Sequence, residues 1–243
     1  MKRRIRQLLR ALRDRWQYLA APFRRAALRR RTGLRVHLGC GSDTLPGFIN
    51  IDYRPASAAD VVMDLNRPRF APDSVAFAFS NAFFEHLYRD SRLPHLQAMR
   101  EAIGPTGVIC YIGIPYFRNV ARQYVERGPG TAGPLFDLFN VYRYTHGNPE
   151  QATTWWIGQL HKSLFDEEEL SSLLNEAGLA SHVMFAYAYP DDTNPVSVTM
   201  GFYATRVQAS EEVLRKECLA FLEPFDNNRL VLKSLMWLTA GAL

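Results

Sequence analysis

Short apolar segments with the character of β-strands alternate with helix-like segments from Leu34 onward, and this alternation constrains the fold most strongly. Strands are predicted over residues 35–38, 48–52, 61–63, 75–80, 108–114, 182–189 and 198–205. Helical periodicity is found over residues 93–103, 166–177, 210–222 and 228–240. Such alternation builds an open sheet with helices packed on it. The sequence therefore predicts a Rossmann-like α/β fold, with a seven-stranded, mostly parallel sheet and helices on both faces.

The charge is distributed unevenly along the chain. Residues 1–35 contain thirteen Lys/Arg and one acid, Asp14, whereas the remainder has sixteen basic and twenty-three acidic residues. The net charge of +5 therefore divides into a basic N-terminal arm, residues 1–33, and an acidic domain, residues 34–243. A nucleic-acid groove across the domain would require the opposite distribution, so no nucleic-acid partner is expected.

The arm has the pattern of an amphipathic helix. Its apolar residues recur at spacings of three and four, namely Ile5, Leu8, Leu9, Leu12, Trp16, Leu19 and Phe23. Pro22 is predicted to end or kink this helix, with a second short helix starting over residues 24–31. A basic face opposite a Leu/Trp/Phe face favours binding of residues 1–31 to an anionic membrane surface.

Three alternatives for the arm stay open. It could pack against the domain or a protein partner, with its arginines simply solvated. It could be a cleaved transit peptide, although such peptides are rich in serine and the first serine here is Ser42. Nucleic-acid binding is disfavoured because the basic face lacks interleaved aromatic residues.

The cysteine pattern and the lack of a long apolar run predict the compartment. Cys40, Cys110 and Cys218 are widely spaced, so neither a disulfide framework nor a zinc-binding cysteine set is expected. The longest apolar candidate, residues 230–243, is interrupted by Lys233 and too short to span a bilayer. The expected location is the cytoplasm, peripherally at the inner face of the membrane.

A glycine-containing turn marks the expected ligand site. Gly39 and Gly41 flank Cys40 directly after the first predicted strand, and Asp52 ends the second. In an open parallel sheet, ligands bind at the carboxyl ends of the strands, where a glycine turn lets the backbone approach them and an acid can bind ribose hydroxyls. A dinucleotide-binding site is disfavoured, because a third glycine is absent and Asp52 comes earlier in the chain than the acid of the dinucleotide fingerprint. No lysine follows the turn, which excludes a nucleoside-triphosphate P-loop.

A series of motifs carries a family resemblance. VHLGCGSDTLPGFINID is followed by VVMDL, FAFSNAFFEHL, AIGPTGVICYIGIP and HKSLFDEEEL…LLNEAG. From about residue 34 to residue 205 this series resembles the class I S-adenosylmethionine-dependent methyltransferases found near bacterial surface-glycan and secondary-metabolite genes. Two departures are His37, where most class I methyltransferases have an acid, and the turn at residues 104–107, which replaces the usual Leu-x-Pro-Gly-Gly.

The resemblance implies S-adenosylmethionine as cofactor and assigns its contacts. These are Gly39, Cys40 and Gly41 beneath the methionine moiety, Asp52 and Tyr53 at the ribose, Asp64 and Leu65 beside the adenine, and Ser80 and Asn81 on the sulfonium side. The alternative is a fold relative that binds no cofactor, in which Gly39, Gly41 and Asp52 only shape a turn.

Histidines near the acceptor side are the candidate catalytic bases, since transfer to a hydroxyl requires removal of a proton. His86, next to Glu85, follows the fourth predicted strand, and His161 precedes a predicted helix. The alternatives are that Glu85 and His86 cap or support a loop, and that His161 makes a structural hydrogen bond. Related quinone O-methyltransferases hold a divalent metal with a Glu-His pair and another glutamate three positions earlier. Ala82 occupies that earlier position, so no metal is expected.

The other histidines are expected to be structural or cannot be placed. His37 is predicted to be structural and His95 to lie on a helix surface. His146 and His182 are not assigned a role.

Residues 116–165 form a predicted acceptor-binding insertion. It is rich in aromatic residues, which stack on sugar rings or form a satellite core, namely Tyr116, Phe117, Tyr124, Phe136, Phe139, Tyr142, Tyr144, Trp155 and Trp156. With the basic arm, the insertion predicts O-methylation of a saccharide, a lipid-linked glycan or a related hydroxylated small molecule. Alternatives are methylation of an amine or carboxylate on a natural product, and a catalytically silent scaffold recruited to a membrane.

Overall fold

The computed structural model describes residues 2–55, 58–127, 158, 160–188, 190 and 197–240, and these residues form one eight-stranded sheet. The strands are β1 (Leu34–Leu38), β2 (Ile49–Asp52), β3 (Val61–Val62), β4 (Val75–Asn81), β5 (Ile103–Pro115), β6 (Ser181–Tyr187), β7 (Thr199–Thr205) and β8 (Met236–Leu238). Their order across the sheet is β3-β2-β1-β4-β5-β7-β6-β8.

Strands β1 to β5 run parallel to one another, and β7 inserts antiparallel between β5 and β6. The crossover between β3 and β4 returns the chain to the other side of β1, which places a topological switch point beside β1. This order and the antiparallel β7 agree with the fold that the family resemblance implied. The predicted Rossmann-like fold is confirmed, with one strand more than predicted.

Helices cover both faces of the sheet, as the sequence predicted. They are α1 (Lys2–Leu28), α2 (Arg89–Ala102), α3 (Phe117–Arg127), α4 (Glu167–Glu176) and α5 (Glu211–Leu222). Alternate side chains of β5 point to opposite faces: Tyr111 joins the apolar cluster that includes residues of α2 and α4, whereas Cys110 joins the cluster beneath α5. A buried core therefore lies on each side of the sheet. No helix among the described residues is long and apolar enough to cross a membrane.

The predicted helix over residues 228–240 is wrong. The chain instead forms a short 3-10 turn, Leu232–Ser234, and then β8, which pairs antiparallel with β6 so that Trp237 lies opposite Phe185. Asp226 explains the difference, because its carboxylate accepts hydrogen bonds from the backbone N–H groups of Asn227 and Leu232. These bonds stabilise a turn in competition with helical backbone pairing.

The predicted break at Pro22 is also wrong, since α1 continues through it to Leu28. Proline removes the hydrogen bond to the carbonyl of Tyr18. Both residues are exposed, so water can hydrogen-bond that carbonyl. The separate helix predicted over residues 24–31 is therefore the last turn of α1 and the residues that follow it.

Helix α1 packs on the domain near β3. Ala21 and Leu28 are buried there, the side-chain amide of Gln17 donates to the Ala59 carbonyl at 3.3 Å, and Arg24 donates to the Asp60 carbonyl. The second half of α1 is therefore held against the edge of the sheet where β3 lies.

The start of α4 follows the sequence prediction. The Asp166 carboxylate accepts a hydrogen bond from the Glu169 N–H at 2.8 Å, which satisfies one of the free donors of the first turn. Gly178 ends the segment with a positive φ of 77°. The cap at Asp166 thereby fixes where α4 begins, directly after the segment that contains His161.

Candidate active site

A cavity of about 650 Å³ lies at the carboxyl ends of β1 to β4, where the topology predicts a ligand site. Its wall is formed by residues that follow these strands, by α1 and by the segment before α4. The lining residues are Tyr18, Ala21, Arg25, Gly39, Gly41, Asp52, Tyr53, Arg54, Val62, Met63, Asp64, Leu65, Asn66, Ala82, Phe83, His86, Leu87, Tyr88, Gly158 and Lys162.

The turn after β1 can be built only with glycine at Gly39. Its φ is +67°, and a Cβ at this position would lie 2.5 Å from Cδ2 of Phe83, which is buried. Gly41 also has a positive φ, of 55°, but a Cβ there would meet no atom closer than 3.8 Å. Because Gly39 has no side chain, Phe83 can pack directly against the backbone at the floor of the cavity.

Asp52 connects this turn to the end of β2. Its Oδ2 accepts a hydrogen bond from the Gly41 N–H at 2.8 Å, and its Oδ1 accepts one from the Arg54 N–H at 2.8 Å. The Arg54 guanidinium Nε lies 3.4 Å from the same Oδ1. The carboxylate is 2% exposed yet lines the cavity, so it is a buried anion held by fixed donors.

The residues predicted at the adenine lie together on one side of the cavity. Leu65 is buried, and Asp64 is exposed and accepts hydrogen bonds from the backbone N–H and side-chain amide of Asn66. Val62 and Met63, buried beside them, add apolar surface. Tyr53 is 49% exposed at the rim, and a Cβ on Gly158 would lie 2.5 Å from its hydroxyl oxygen.

Three of the predicted cofactor residues lie behind the cavity wall rather than in it. Cys40 is buried, and its N–H donates to the Ile51 carbonyl. Ser80 is fully buried in β4, and Asn81 is half-buried at the end of that strand. Ala82 and Phe83, the next residues along the chain, form the wall at this point. Ala82 has a positive φ of 53°, which turns the chain away from β4.

His95 is buried and hydrogen-bonded on both sides of its ring, so its predicted place on a helix surface is wrong. Its Nδ1 lies 2.6 Å from the Leu65 carbonyl oxygen and its Nε2 lies 2.8 Å from the Tyr111 hydroxyl. The carbonyl can only accept, so Nδ1 carries the proton and Nε2 accepts from tyrosine. Burial lowers the pKa of His95 to about 4, which keeps the ring neutral. It holds Leu65 against the centre of the sheet.

His37 and His182 lie outside the cavity and have structural roles. The Nδ1 of His37 is paired with Asn50 Oδ1 at 3.2 Å, and burial lowers the pKa of this imidazole to about 4. This agrees with the structural role predicted for His37. His182 pairs with the Leu179 carbonyl and the Ser171 hydroxyl away from the cavity, and His146 lies outside the described residues.

The structure brings together the three predicted catalytic residues. Glu85 and His86 lie in a short 3-10 turn, Phe84–His86, after β4, and His161 lies before α4. The Oε1 of Glu85 lies 3.7 Å from His86 Nε2 and 3.8 Å from His161 Nε2. The two imidazole rings meet edge to face, with centroids 4.9 Å apart. Of the three, His86 lines the cavity.

Three hydrogen bonds hold the two segments of this cluster together. The Lys162 N–H donates to the Glu85 carbonyl at 2.9 Å, and the Ser163 hydroxyl donates to the Leu87 carbonyl at 3.3 Å. His86 Nδ1 lies 3.1 Å from the carbonyl oxygen of Leu160. Because that carbonyl must accept, Nδ1 of His86 carries a proton, and Nε2 is the ring nitrogen that lies near the carboxyl group of Glu85.

Glu85 is the most unusual group in the cluster. Its side chain is fully buried, and neither carboxyl oxygen receives a hydrogen bond from the part of the chain that the structure describes. Burial raises the pKa of Glu85 to about 8. A buried carboxyl without donors is costly when charged, so it requires a proton or a bound cation.

Several lining residues were not predicted from the sequence. Tyr18, Ala21 and Arg25 come from α1, and Lys162 comes from the segment before α4. Lys162 lies in the predicted HKSLF motif and could have been singled out beside His161. The face of α1 that lines the cavity has no motif of its own, because its residues are polar or small.

The predicted acceptor insertion is described only at its ends. Tyr116 is buried and forms a parallel bridge with Phe165, whereas Phe117 is 43% exposed. The side chain of Tyr124 lies outside the described residues, as do Phe136, Phe139, Tyr142, Tyr144, Trp155 and Trp156.

The fold has relatives among solved structures. They include a methyltransferase from Thermotoga maritima described as a possible histamine N-methyltransferase (TM-score 0.47, 14% identity, 81% of this chain and 92% of that one). Another is a methyltransferase from Methanosarcina mazei (TM-score 0.48, 16% identity, 76% and 97%). A third is the putative methyltransferase in complex with the Trm112 activator of Haloferax volcanii (TM-score 0.46, 14% identity, 82% and 94%). No family model and no curated protein sequence matches the chain.

Proposed function

We propose that this protein is an S-adenosylmethionine-dependent methyltransferase that methylates a hydroxyl group of a saccharide or a related small acceptor. The observation that carries the proposal is the link between Gly41 and Asp52 at the carboxyl ends of β1 and β2. It joins a glycine turn and a buried carboxylate beside the topological switch point, where open α/β sheets bind nucleotide-like ligands.

The cavity fits the cofactor in size and chemistry. Its volume of about 650 Å³ is in the range of small-molecule sites. Asp52 would hold the ribose hydroxyls, because its Oδ2 keeps a lone pair after accepting the Gly41 N–H. Val62, Met63 and Leu65 offer the apolar surface that an adenine ring requires. When bound, S-adenosylmethionine supplies a methyl carbon made electrophilic by its positively charged sulfur.

The protein's contribution to methyl transfer is alignment and proton removal. As the acceptor oxygen bonds to the methyl carbon, the carbon–sulfur bond breaks and its electron pair stays on sulfur. The hydroxyl proton then needs a base. His86 lines the cavity with a basic Nε2, because the Leu160 carbonyl holds the proton on Nδ1. Glu85 Oε1 lies 3.7 Å from that nitrogen, and the positive charge that His86 gains would favour the ionised form of this carboxyl group.

The proposal is tested first by calorimetric titration of the full chain with S-adenosylhomocysteine, which has the nucleoside of the cofactor but no methyl group to transfer. Saturable binding at one site supports the proposal, and absence of binding overturns it. Incubation with methyl-labelled cofactor and fractionated cell-envelope extract then identifies the acceptor. Binding without any labelled product would favour a catalytically silent scaffold.

Two other acceptor classes make different predictions for the histidines. A carboxylate acceptor is already ionised and needs no base, so His86→Ala and His161→Ala would leave turnover unchanged. An amine acceptor needs deprotonation only when it enters as an ammonium ion, so its rate would depend on pH even without the histidines.

We further propose that α1 docks the protein on an anionic membrane surface. Its apolar stripe is directed away from the domain: Ile5, Leu12, Trp16, Leu19 and Phe23 are each at least half exposed, and Phe23 is 79% exposed. The residues that face the domain, such as Gln17, Ala21 and Arg25, lie on the opposite side of the helix. Exposed arginines, including Arg15 and Arg30, accompany the stripe.

This arrangement suits the plane of a bilayer headgroup region. The apolar stripe would enter the acyl boundary while the arginines contact lipid phosphates. A peripheral location on the cytoplasmic face and a lipid-linked acceptor agree with it. The acidic domain would be repelled by the same surface, so α1 would also set which side of the domain faces the membrane.

Vesicle co-sedimentation of the full chain tests this placement. Vesicles containing phosphatidylglycerol should pellet the protein, and vesicles of phosphatidylcholine alone should pellet less of it. Trp16→Glu and Phe23→Glu should reduce pelleting, whereas Val213→Glu, an exposed apolar position on α5, should not. Equal pelleting of all forms, or none by the unaltered protein, would exclude membrane binding through this stripe and leave a protein partner.

A further inference from the structure

We propose that Glu85, His86 and His161 form a binding site for one divalent first-row transition-metal ion of the Zn²⁺ type. The set offers two imidazole nitrogens and one carboxylate oxygen, all within 4.8 Å of one another. Two histidines and one carboxylate are a donor set that proteins use for zinc and iron with open coordination positions.

The distances are close to those that a metal requires. Glu85 Oε1 lies 3.7 Å from His86 Nε2 and 3.8 Å from His161 Nε2. Ligands about 2.1 Å from a tetrahedral ion lie about 3.4 Å from each other, so these two distances need to shorten by a few tenths of an ångström.

The surroundings orient the ligands. His86 Nδ1 donates to the Leu160 carbonyl, which leaves Nε2 as the metal-binding nitrogen. The Lys162 N–H donates to the Glu85 carbonyl, so the segment that contains His161 is joined to the segment that contains the other two ligands. These bonds orient the His86 ring and hold together the two segments that carry the three ligands before any ion arrives.

A cation also explains the environment of Glu85. Both of its carboxyl oxygens are buried without a hydrogen-bond donor from the described residues. A charged carboxylate in such a place is stable only when it is paired with a cation or coordinates a metal. The sequence predicted no metal because Ala82 replaces a glutamate, but His161, far along the chain, brings a third ligand that spacing alone could not reveal.

The role of the ion, unlike its binding, rests on the proposed methyl transfer. His86 lines the cavity, so an ion bound to it can reach a hydroxyl in that space. Coordination would lower the pKa of this hydroxyl and fix its oxygen toward the methyl donor. In the metal-bound protein this activation would replace general-base catalysis by His86, whose lone pair would bind the metal, and the hydroxyl proton would pass to water; His86 is needed for turnover in both cases.

Metal titration of the full chain without cofactor tests the site. After treatment with chelator and dialysis, Zn²⁺ is titrated by calorimetry, and Co²⁺ is added separately while its visible absorption is recorded. One equivalent of each ion should bind, and the Co²⁺ complex should show the intense bands of a site with fewer than six ligands. Mg²⁺ and Ca²⁺, which prefer oxygen ligands, should not compete.

Ligand variants make the test specific. His161→Ala and Glu85→Gln should each weaken Zn²⁺ binding at least 10–100-fold, the loss that removal of even an outer hydrogen-bond partner causes. His182→Ala, which removes a histidine far from the cluster, should bind like the unaltered protein. Circular dichroism checks the fold of each variant, and His161→Ala, whose side chain is less buried than that of Glu85, serves if Glu85→Gln does not fold.

Two results would overturn the proposal. One is the absence of saturable Zn²⁺ and Co²⁺ binding by the unaltered protein. The other is undiminished binding by His161→Ala and Glu85→Gln. Titration with S-adenosylhomocysteine is independent of these measurements, so a failure of the proposed function is distinguishable from a failure of the metal site.

Discussion

The carboxylate of Asp52 accepts a hydrogen bond from the backbone N–H of Gly41 at 2.8 Å, which joins the ends of two neighbouring parallel strands. The Arg54 N–H holds the other carboxylate oxygen. The carboxylate therefore fixes the turn that forms the cavity floor, and in the proposed function it also binds the ribose of the cofactor. Replacement of Asp52 should impair both.

Asp52→Asn should weaken binding of S-adenosylhomocysteine by about 10–150-fold. The NH2 group of the asparagine would face one of the two backbone N–H groups, so one hydrogen bond would be lost. A hydrogen bond to a charged group contributes about 1.5–3 kcal/mol, which corresponds to this change in affinity. Calorimetric titration measures the change. Asp73→Asn, an exposed position whose carboxylate pairs with Arg206, is the matched control and should bind normally. Unchanged affinity in Asp52→Asn would remove Asp52 from the cofactor site.

Gly39→Ala should abolish cofactor binding and lower stability more than Gly33→Ala. Both glycines have nearly the same positive φ, +67° and +66°, so the backbone strain of alanine is matched. A Cβ at Gly33 meets nothing within 4 Å, whereas one at Gly39 would clash with the Phe83 ring. Thermal unfolding and ligand titration of the two variants therefore separate the effect of the steric clash from the effect of backbone strain. Equal behaviour would mean that Phe83 can move aside at little cost.

His86→Ala should lower kcat by about 10²–10⁴-fold while the affinity for S-adenosylhomocysteine stays within a factor of two or three. The variant loses a polar contact in the cavity but leaves Gly39, Gly41 and Asp52 in place. Turnover is measured with the acceptor identified by labelling. Retention of full turnover by both His86→Ala and His161→Ala would exclude histidine catalysis and favour a carboxylate acceptor.

Stability should fall as the pH decreases from about 6.5 toward 4. Burial lowers the pKa of His37 and of His95 to about 4, from an ordinary value of 6.5. Between these values the unfolded chain binds a proton at each histidine and the folded chain does not. Within this window each histidine therefore lowers the free energy of unfolding by about 1.4 kcal/mol for every unit by which the pH decreases, and above the window it has no effect.

Urea unfolding at several pH values measures this dependence. His37→Gln should show a shallower decline than the unaltered protein between pH 6 and pH 4.5, because one titrating group is gone. Parallel declines would show that His37 is protonated in the folded state, in conflict with its burial beside Asn50.

The parts of the site that sequence reasoning found are determined by neighbouring residues. The turn at Gly39 and Gly41 and the cap at Asp166 depend on local backbone geometry, so short motifs were sufficient to predict them. The predicted helix over residues 228–240 failed because Trp237 pairs across to Phe185, and an apolar run does not reveal its partner. His95 was misplaced since a helix pattern does not show which histidine is bonded to a distant carbonyl.

The convergence of Glu85 and His161 could not be predicted from spacing, because it depends on contacts between segments far apart in the chain. The orientation of α1 is a similar case. The stripe that contains Trp16 is visible in the sequence, but the sequence does not show that the opposite face packs on the domain. Long-range packing decides both features.

The position of α1 has a consequence for the reach of an acceptor. Ala21 lies in the cavity wall, and Phe23 projects from the other side of the same helix. An α-helix with its side chains is about 10–12 Å across, so a bilayer in contact with Phe23 would begin about one helix diameter from the cavity. A group anchored in that bilayer must extend across this gap to be methylated. The thickness of a single helix would thus set the distance between the membrane and the cavity. It would favour sugars held a short, fixed distance above the membrane over groups at the lipid headgroup itself.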